Sequence, residues 1–128
     1  MAAKDLYISP LFKGMRNYAE QNADSWFILS AKYGLLRPDQ AIAPYELTLK
    51  AMHKRNRLAW AEQIQRQLLE FLPPGALVVI LAGRDYHKDL VPFLKSHGFT
   101  VEVPMDGLGF GPRLRWLKEK MCDEHARR

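Results

Sequence analysis

At 128 residues the chain has the length of one domain, with enough material to bury a real core without help from disulfides or metal. Its single cysteine, Cys122, excludes an intramolecular disulfide, and no stretch has the apolar length of a signal peptide or a bilayer span, so a cytoplasmic protein without membrane contact is expected. The formal charge of +5, from 19 Lys and Arg against 14 Asp and Glu, favours an anionic partner, although Arg127 and Arg128 place part of that excess in the tail.

Leu6-Tyr7-Ile8 is a short apolar piece. Ser9-Pro10 then supplies a hydroxyl N-cap followed by proline at the first helical position, and the spacing of Leu11, Met15, Tyr18 and Ala19 predicts a helix to about Asn22 with those residues as its core face. Trp26-Phe27-Ile28-Leu29 is an aromatic and aliphatic run that reads as a buried strand.

The stretch from Ser30 to Leu49 reads as one long loop with proline corners at Pro38 and Pro44. It holds Tyr33, Leu35, Leu36, Arg37, Asp39, Ile42, Tyr45, Glu46 and Leu47, too much apolar surface to hang in water. Loops of this length are binding or lid loops, or else structural Ω-loops covering a sheet edge.

A long helix follows from about His53 to Leu72, with Leu58, Ala61, Ile64, Gln65, Leu68 and Leu72 along one side. Arg55, Arg57, Glu62, Arg66 and Glu70 form its solvated face. Pro73-Pro74-Gly75 stops it, and the uninterrupted apolar run from Ala76 to Leu81 predicts a central parallel strand covered on both faces. Gly83-Arg84-Asp85 leads into a helix from about Tyr86 to His97, either kinked at Pro92 or beginning only near it, and capped by Gly98. Thr100-Val101-Glu102-Val103 alternates in polarity and reads as a strand nearer an edge. Pro104 to Gly111 is a glycine-spaced turn, and Pro112 opens a last helix with Leu114, Trp116, Leu117 and Met121.

This alternation predicts a single α/β domain over residues 1–128, a three-layer sandwich with a small, mainly parallel sheet and helices on both faces. Ligands of such sheets bind beyond the carboxyl ends of the strands. Three segments leave those ends: Ser30 to Leu49, Gly83 to His87, and Pro104 to Gly111.

Gly107-Leu108-Gly109-Phe110-Gly111 before Pro112-Arg113 reads either as a phosphate-cradling turn or as a tight strand-to-helix turn, and it matches neither a Walker nor a dinucleotide motif. Arg84 suits a phosphate or carboxylate through its planar fork, or a solvated pair with Asp85. His53, His87, His97 and Cys122 show no pair at metal-ligand spacing, so neither metal nor cofactor is expected, and Ser30 lacks a nucleophile-elbow context. There remain Tyr33, Arg37, Asp39, Tyr45 and Glu46, with Arg84. Two tyrosines stack on a nucleobase, an arginine contacts phosphate, and a carboxylate steadies positive charge developing on a sugar. The plainer alternative is that the tyrosines pin the loop to the core while the charges face water.

The run Leu29-Ser30-Ala31-Lys32-Tyr33-Gly34-Leu35-Leu36-Arg37-Pro38-Asp39, followed by Pro44-Tyr45-Glu46-Leu47, resembles the signature of a bacterial family of unknown function. The resemblance extends to Asp5-Leu6-Tyr7, Ser9-Pro10-Leu11-Phe12, Leu81-Ala82-Gly83 and the Gly107-Leu108-Gly109 turn. In the loop alone the chain is also similar to the YaaA peroxide-stress proteins, which bind DNA. Members of the first family begin with a further strand and a Ser-Cys-x-Lys-x-Lys-like segment upstream of where Met1-Ala2-Ala3-Lys4 starts here. The resemblance therefore implies that this chain lacks that strand, leaving a sheet edge open to pairing with a second copy in a homodimer.

Residues and resemblance together lead to an expected nucleotide- or nucleic-acid-directed enzyme that cleaves or exchanges an N-glycosidic bond. Tyr33 and Tyr45 hold the base, Arg37 and Arg84 the phosphate, with Gly107 and Gly109 in the binding turn. Glu46 or Asp39 stabilises the oxocarbenium-like transition state. The alternative is a non-catalytic DNA- or RNA-binding module of YaaA type.

Overall fold

A computed structural model describes residues 1–7, 9–43, 49 and 52–127, with side chains through residue 120. The chain forms two compact units, one from Met1–Ile28, Arg37–Ala43 and Gly107–Arg128, the other from Leu29–Leu36 and Pro44–Asp106.

In the first unit α1 (Ala3–Leu6) precedes α2 (Pro10–Asn22), and the closing helix is α6 (Phe110–Arg127). α2 starts where the sequence places it, because the Ser9 hydroxyl accepts a 3.1 Å hydrogen bond from the Phe12 amide and Pro10 needs no partner at the first turn. Its apolar side packs on α6. The approach is closest at Gly14, where an added Cβ would come within 3.0 Å of Leu117 Cδ1, and the Tyr18 and Trp116 rings lie 5.1 Å apart. The segment from Arg37 to Ala43 runs along the N-terminus: Ala3 donates to the Gln40 carbonyl and Lys4 to that of Pro38 at 2.9 Å, and Ile42 donates to Met1 at 2.8 Å. Ala2 and Ala41 form an antiparallel bridge between them. Arg16 of α2 fastens α1 through the Lys4 carbonyl and Asp5, and pairs with Glu20 one turn on in its own helix. The Glu20 hydrogen bond, reinforced by Asp5, holds its guanidinium above the usual arginine pKa, so it stays charged at any physiological pH.

The second unit is built on α3 (Lys54–Phe71). β1 (Ile28–Ser30) and β2 (Gly34–Leu36) pair in one sheet, and their three connecting residues are far too few for a parallel crossover. β3 (Leu77–Val79) and β4 (Thr100–Glu102) form a parallel pair in the register Leu77–Thr100, Val78–Val101, Val79–Glu102, with α4 (Arg84–His87) and α5 (Leu90–Ser96) between them in sequence. Trp60, Ala61, Ile64 and Leu68 of α3 are buried, as are Leu35, Leu36, Ile80, Leu90, Leu94, Phe99 and Met105.

The α/β class stands, with helices around small sheets, one of them parallel. Several local expectations are corrected. The stretch from Ser30 to Leu49 is not one loop, since β2 lies inside it with Gly34, Leu35 and Leu36 all buried. β3 is not covered on both faces: Leu77 and Val79, which share a face by strand alternation, are 58% and 38% exposed. Leu58 belongs to the outer surface of α3 at 47% exposure, and Trp60 takes its place in the core. Of the two expectations at Pro92 the second holds: α5 begins at Leu90, so Pro92 sits in its first turn where its missing N–H costs nothing, and the stretch before it forms the separate short α4, with the break at Lys88 and Asp89. Met121 and Cys122 side chains, and Ile8, lie outside the described residues. Among the described residues no helix is long and apolar enough to cross a membrane.

Candidate functional site

α3 fixes the segments that leave the strands of the second unit. The Trp60 indole N–H donates to the Ser30 carbonyl at 2.8 Å, clamping the end of β1, and its ring meets Tyr86 edge-on at 5.6 Å. One turn and more along the same helix, Gln65 Nε2 donates to the Asp89 carbonyl at 3.3 Å and Gln67 Oε1 accepts from the Leu35 amide at 3.0 Å. The turn between β1 and β2 is closed by Ser30, fully buried, whose hydroxyl accepts from the Tyr33 amide at 3.0 Å. Gly34 follows at φ +79°, with Gln63 Nε2 only 2.6 Å and Gln67 Oε1 2.8 Å from where a Cβ would stand. The glycine of the signature thus has a local reason: at φ +79° any side chain is strained, and a Cβ would press on the ends of two glutamine side chains.

The residues expected to form the site are divided between the units. Tyr33 and Arg84 belong to the second; Arg37, Asp39, Gly107 and Gly109 to the first; Tyr45 and Glu46 lie outside the described residues. Tyr33 is half-buried, with Lys32 Nζ 5.3 Å from its ring centre. Arg37 and Asp39 are exposed on a tight turn in which the Gln40 amide donates to the Arg37 carbonyl at 3.1 Å. Arg84 is exposed at the start of α4. At the glycine-spaced turn, Gly107 has φ +80°, while a Cβ on Gly109 would meet nothing. Arg113 does not reach out from this turn: its Nε donates to the Leu108 carbonyl at 2.8 Å.

One pairing is not legible in the sequence. His87, 7% exposed, ends α4, and Asp106 follows β4; His87 Nε2 lies 3.7 Å from Asp106 Oδ1, so the segments leaving the carboxyl ends of the two parallel strands meet there. The other ring nitrogen, Nδ1, is 3.0 Å from the Ala82 carbonyl. The signal available was topological, since both residues sit just past strands read as parallel. Among the described residues no cluster of His, Cys, Asp and Glu suits a metal ion. A shallow groove of about 500 Å³ lies elsewhere, on the first turns of α3, lined by Lys54, Arg55, Leu58, Ala59 and Glu62.

A model of a family of unknown function, DUF6884, matches residues 1–119. The chain belongs to DUF6884. It is similar to "Uncharacterized protein YfjM" of Bacillus subtilis strain 168, with 32% identity over 127 residues, 96% of this chain and 82% of that protein. It is also similar to a UPF0246 protein of Lactiplantibacillus plantarum, 31% identical over 116 residues that make up 76% of this chain and 46% of the relative. Another UPF0246 protein, of Lactobacillus delbrueckii subsp. bulgaricus, is 33% identical over 81 residues, 59% and 32% of the two chains. This DUF6884 chain therefore spans less than half the length of those UPF0246 proteins. No solved structure matches. The family read from the signature run is the one found, and the likeness to YaaA proteins is a distant one.

Proposed function

We propose that this DUF6884 protein acts on a nucleotide or nucleic acid, seated at the carboxyl ends of β3 and β4. The observation that carries the reading is the meeting of the two segments there through His87 and Asp106, with Arg84 exposed on the same stretch. Open α/β sheets place ligands at that end of their parallel strands, and a guanidinium fork suits a phosphate. The reaction assigned is cleavage of an N-glycosidic bond, with Glu46 as the carboxylate that steadies charge on the sugar and Tyr33 as a stacking surface. The test is mass spectrometry of small molecules released from mixed DNA, transfer RNA and free nucleotides by the wild type and by Glu46→Gln. A free base released by the wild type alone supports the reading; no release from any substrate refutes it.

A second reading, a non-catalytic nucleic-acid-binding module, is favoured by the charge distribution. The chain carries a net +5, and among the described residues Arg16 is the only Lys or Arg in an ion pair. On that reading affinity for duplex or single-stranded DNA falls steeply between low and physiological salt as phosphate contacts are lost, and a flat response counts against it. Both readings include pairing of two copies at the outer edge of β3, which pairs with β4 alone among the described residues; sedimentation at a single monomer mass contradicts that part.

A further inference from the structure

We infer that His87 is the proton-accepting group of this site and that Asp106 positions the water from which it takes the proton. This rests on the hydrolytic reading above and names the group that would activate the attacking water.

Hydrogen bonding fixes the tautomer. A backbone carbonyl only accepts, so the 3.0 Å contact of Nδ1 with the Ala82 oxygen requires the proton on Nδ1. In the neutral ring, Nε2 then presents a lone pair. It faces Asp106 Oδ1, a second acceptor, at 3.7 Å, beyond the 2.7–3.2 Å of a direct hydrogen bond. Two acceptors at that separation are satisfied together by one donor with two hydrogens, and water is such a donor. Asp106 is 65% exposed and the His87 side chain 9%, so the approach is from the Asp106 side while the imidazole stays shielded.

The ring is held, not merely placed. The His87 amide donates to the Gly83 carbonyl at 3.1 Å, Tyr86 beside it meets Trp60 edge-on, and Gln65 binds the Asp89 carbonyl. Charged residues near in sequence or on the element packed against α4 are Arg84, Asp85, Lys88 and Asp89 on its own stretch and Lys95 on α5. Among the described residues Asp106 alone lies within ion-pair distance of the ring. His97, by contrast, is exposed and spends Nδ1 on the Phe93 carbonyl at 2.9 Å, a helix-end contact.

In the step itself, water loses a proton to His87 Nε2 while its oxygen bonds to the anomeric carbon. The carbon–nitrogen bond breaks, its electron pair leaves with the base, and the base takes a proton from the imidazolium or from solvent. The sum is hydrolysis of an N-glycoside to sugar and free base, with no redox change.

Three measurements on the full chain test it. Long-range ¹H–¹⁵N NMR of the wild type should show neutral His87 protonated at Nδ1; protonation at Nε2 overturns the assignment whatever the activity. In the base-release assay His87→Ala should lose about a hundredfold or more in rate, with partial recovery on adding imidazole, which a merely structural histidine would not give. Asp106→Asn, an exposed change that leaves the fold intact, should lower kcat with KM unchanged. A wild type that releases base while both variants match it sinks His87 and leaves the hydrolytic reading standing. A wild type that releases nothing overturns both.

Discussion

Gly34 shows most directly how a single residue decides local structure. At φ +79° with a glutamine amide 2.6 Å from a would-be Cβ, Gly34→Ala meets both left-handed strain and a clash. A loss of about 2 kcal/mol or more is expected in urea denaturation; an unchanged midpoint would mean that Gln63 swings aside freely. Trp60 makes a comparable test. Trp60→Phe keeps the aromatic bulk but leaves the Ser30 carbonyl without its 2.8 Å donor, so a loss of about 1–3 kcal/mol is expected by the same measurement. Of these two, the glycine stood out in the sequence as part of a signature but without a reason, because the reason is a pair of side chains some thirty residues away. Trp60 does not stand out in the sequence, since helical periodicity is equally content with Leu58 on the inner face. His87 and Asp106 are separated in sequence by a helix and a strand, and no spacing rule joins them.

At the scale of elements, helices were legible and strands much less so. The bounds of α2 are legible because capping chemistry is local: Ser9, Pro10 and the following turn suffice. Ser9→Ala should therefore cost about 1 kcal/mol and Ser9→Gly only a few tenths, as thermal or chemical unfolding of the full chain would show. On the other helix of the pair, Leu117, 2% exposed, fills the notch above Gly14. Leu117→Ala should cost about 2–4 kcal/mol, and a value under 1 would mean that α2 collapses into the space. The strands are only three residues each, and β2 hid inside a run whose proline and glycine spoke for a loop. β3 misled in the other direction. Its apolar run promised burial on both faces, yet Leu77 and Val79 look outward, since burial is a property of neighbours that the run itself does not contain.

At the scale of the whole molecule, the two units are unequal in how the chain makes them. The second is almost continuous, from Leu29 to Asp106 with one short excursion at Arg37–Ala43, whereas the first joins the beginning of the chain to its end. If the second unit unfolds, α2 and α6 are tethered by a long disordered loop whose closure entropy opposes their meeting. Native-state amide exchange should accordingly show no amide of α2 or α6 better protected than the slowest amides of α3; the reverse order would mean that the first unit stands alone.

The same chain path has a consequence during synthesis. Proteins are made from the N-terminus at roughly 5–20 residues per second, and as a rule what emerges first folds first. Here α2 leaves the ribosome before α3, α4 and α5, and its partner α6 only after them. For the several seconds between them, the Gly14 notch waits without Leu117, and the first unit closes only after every segment of the second has been made.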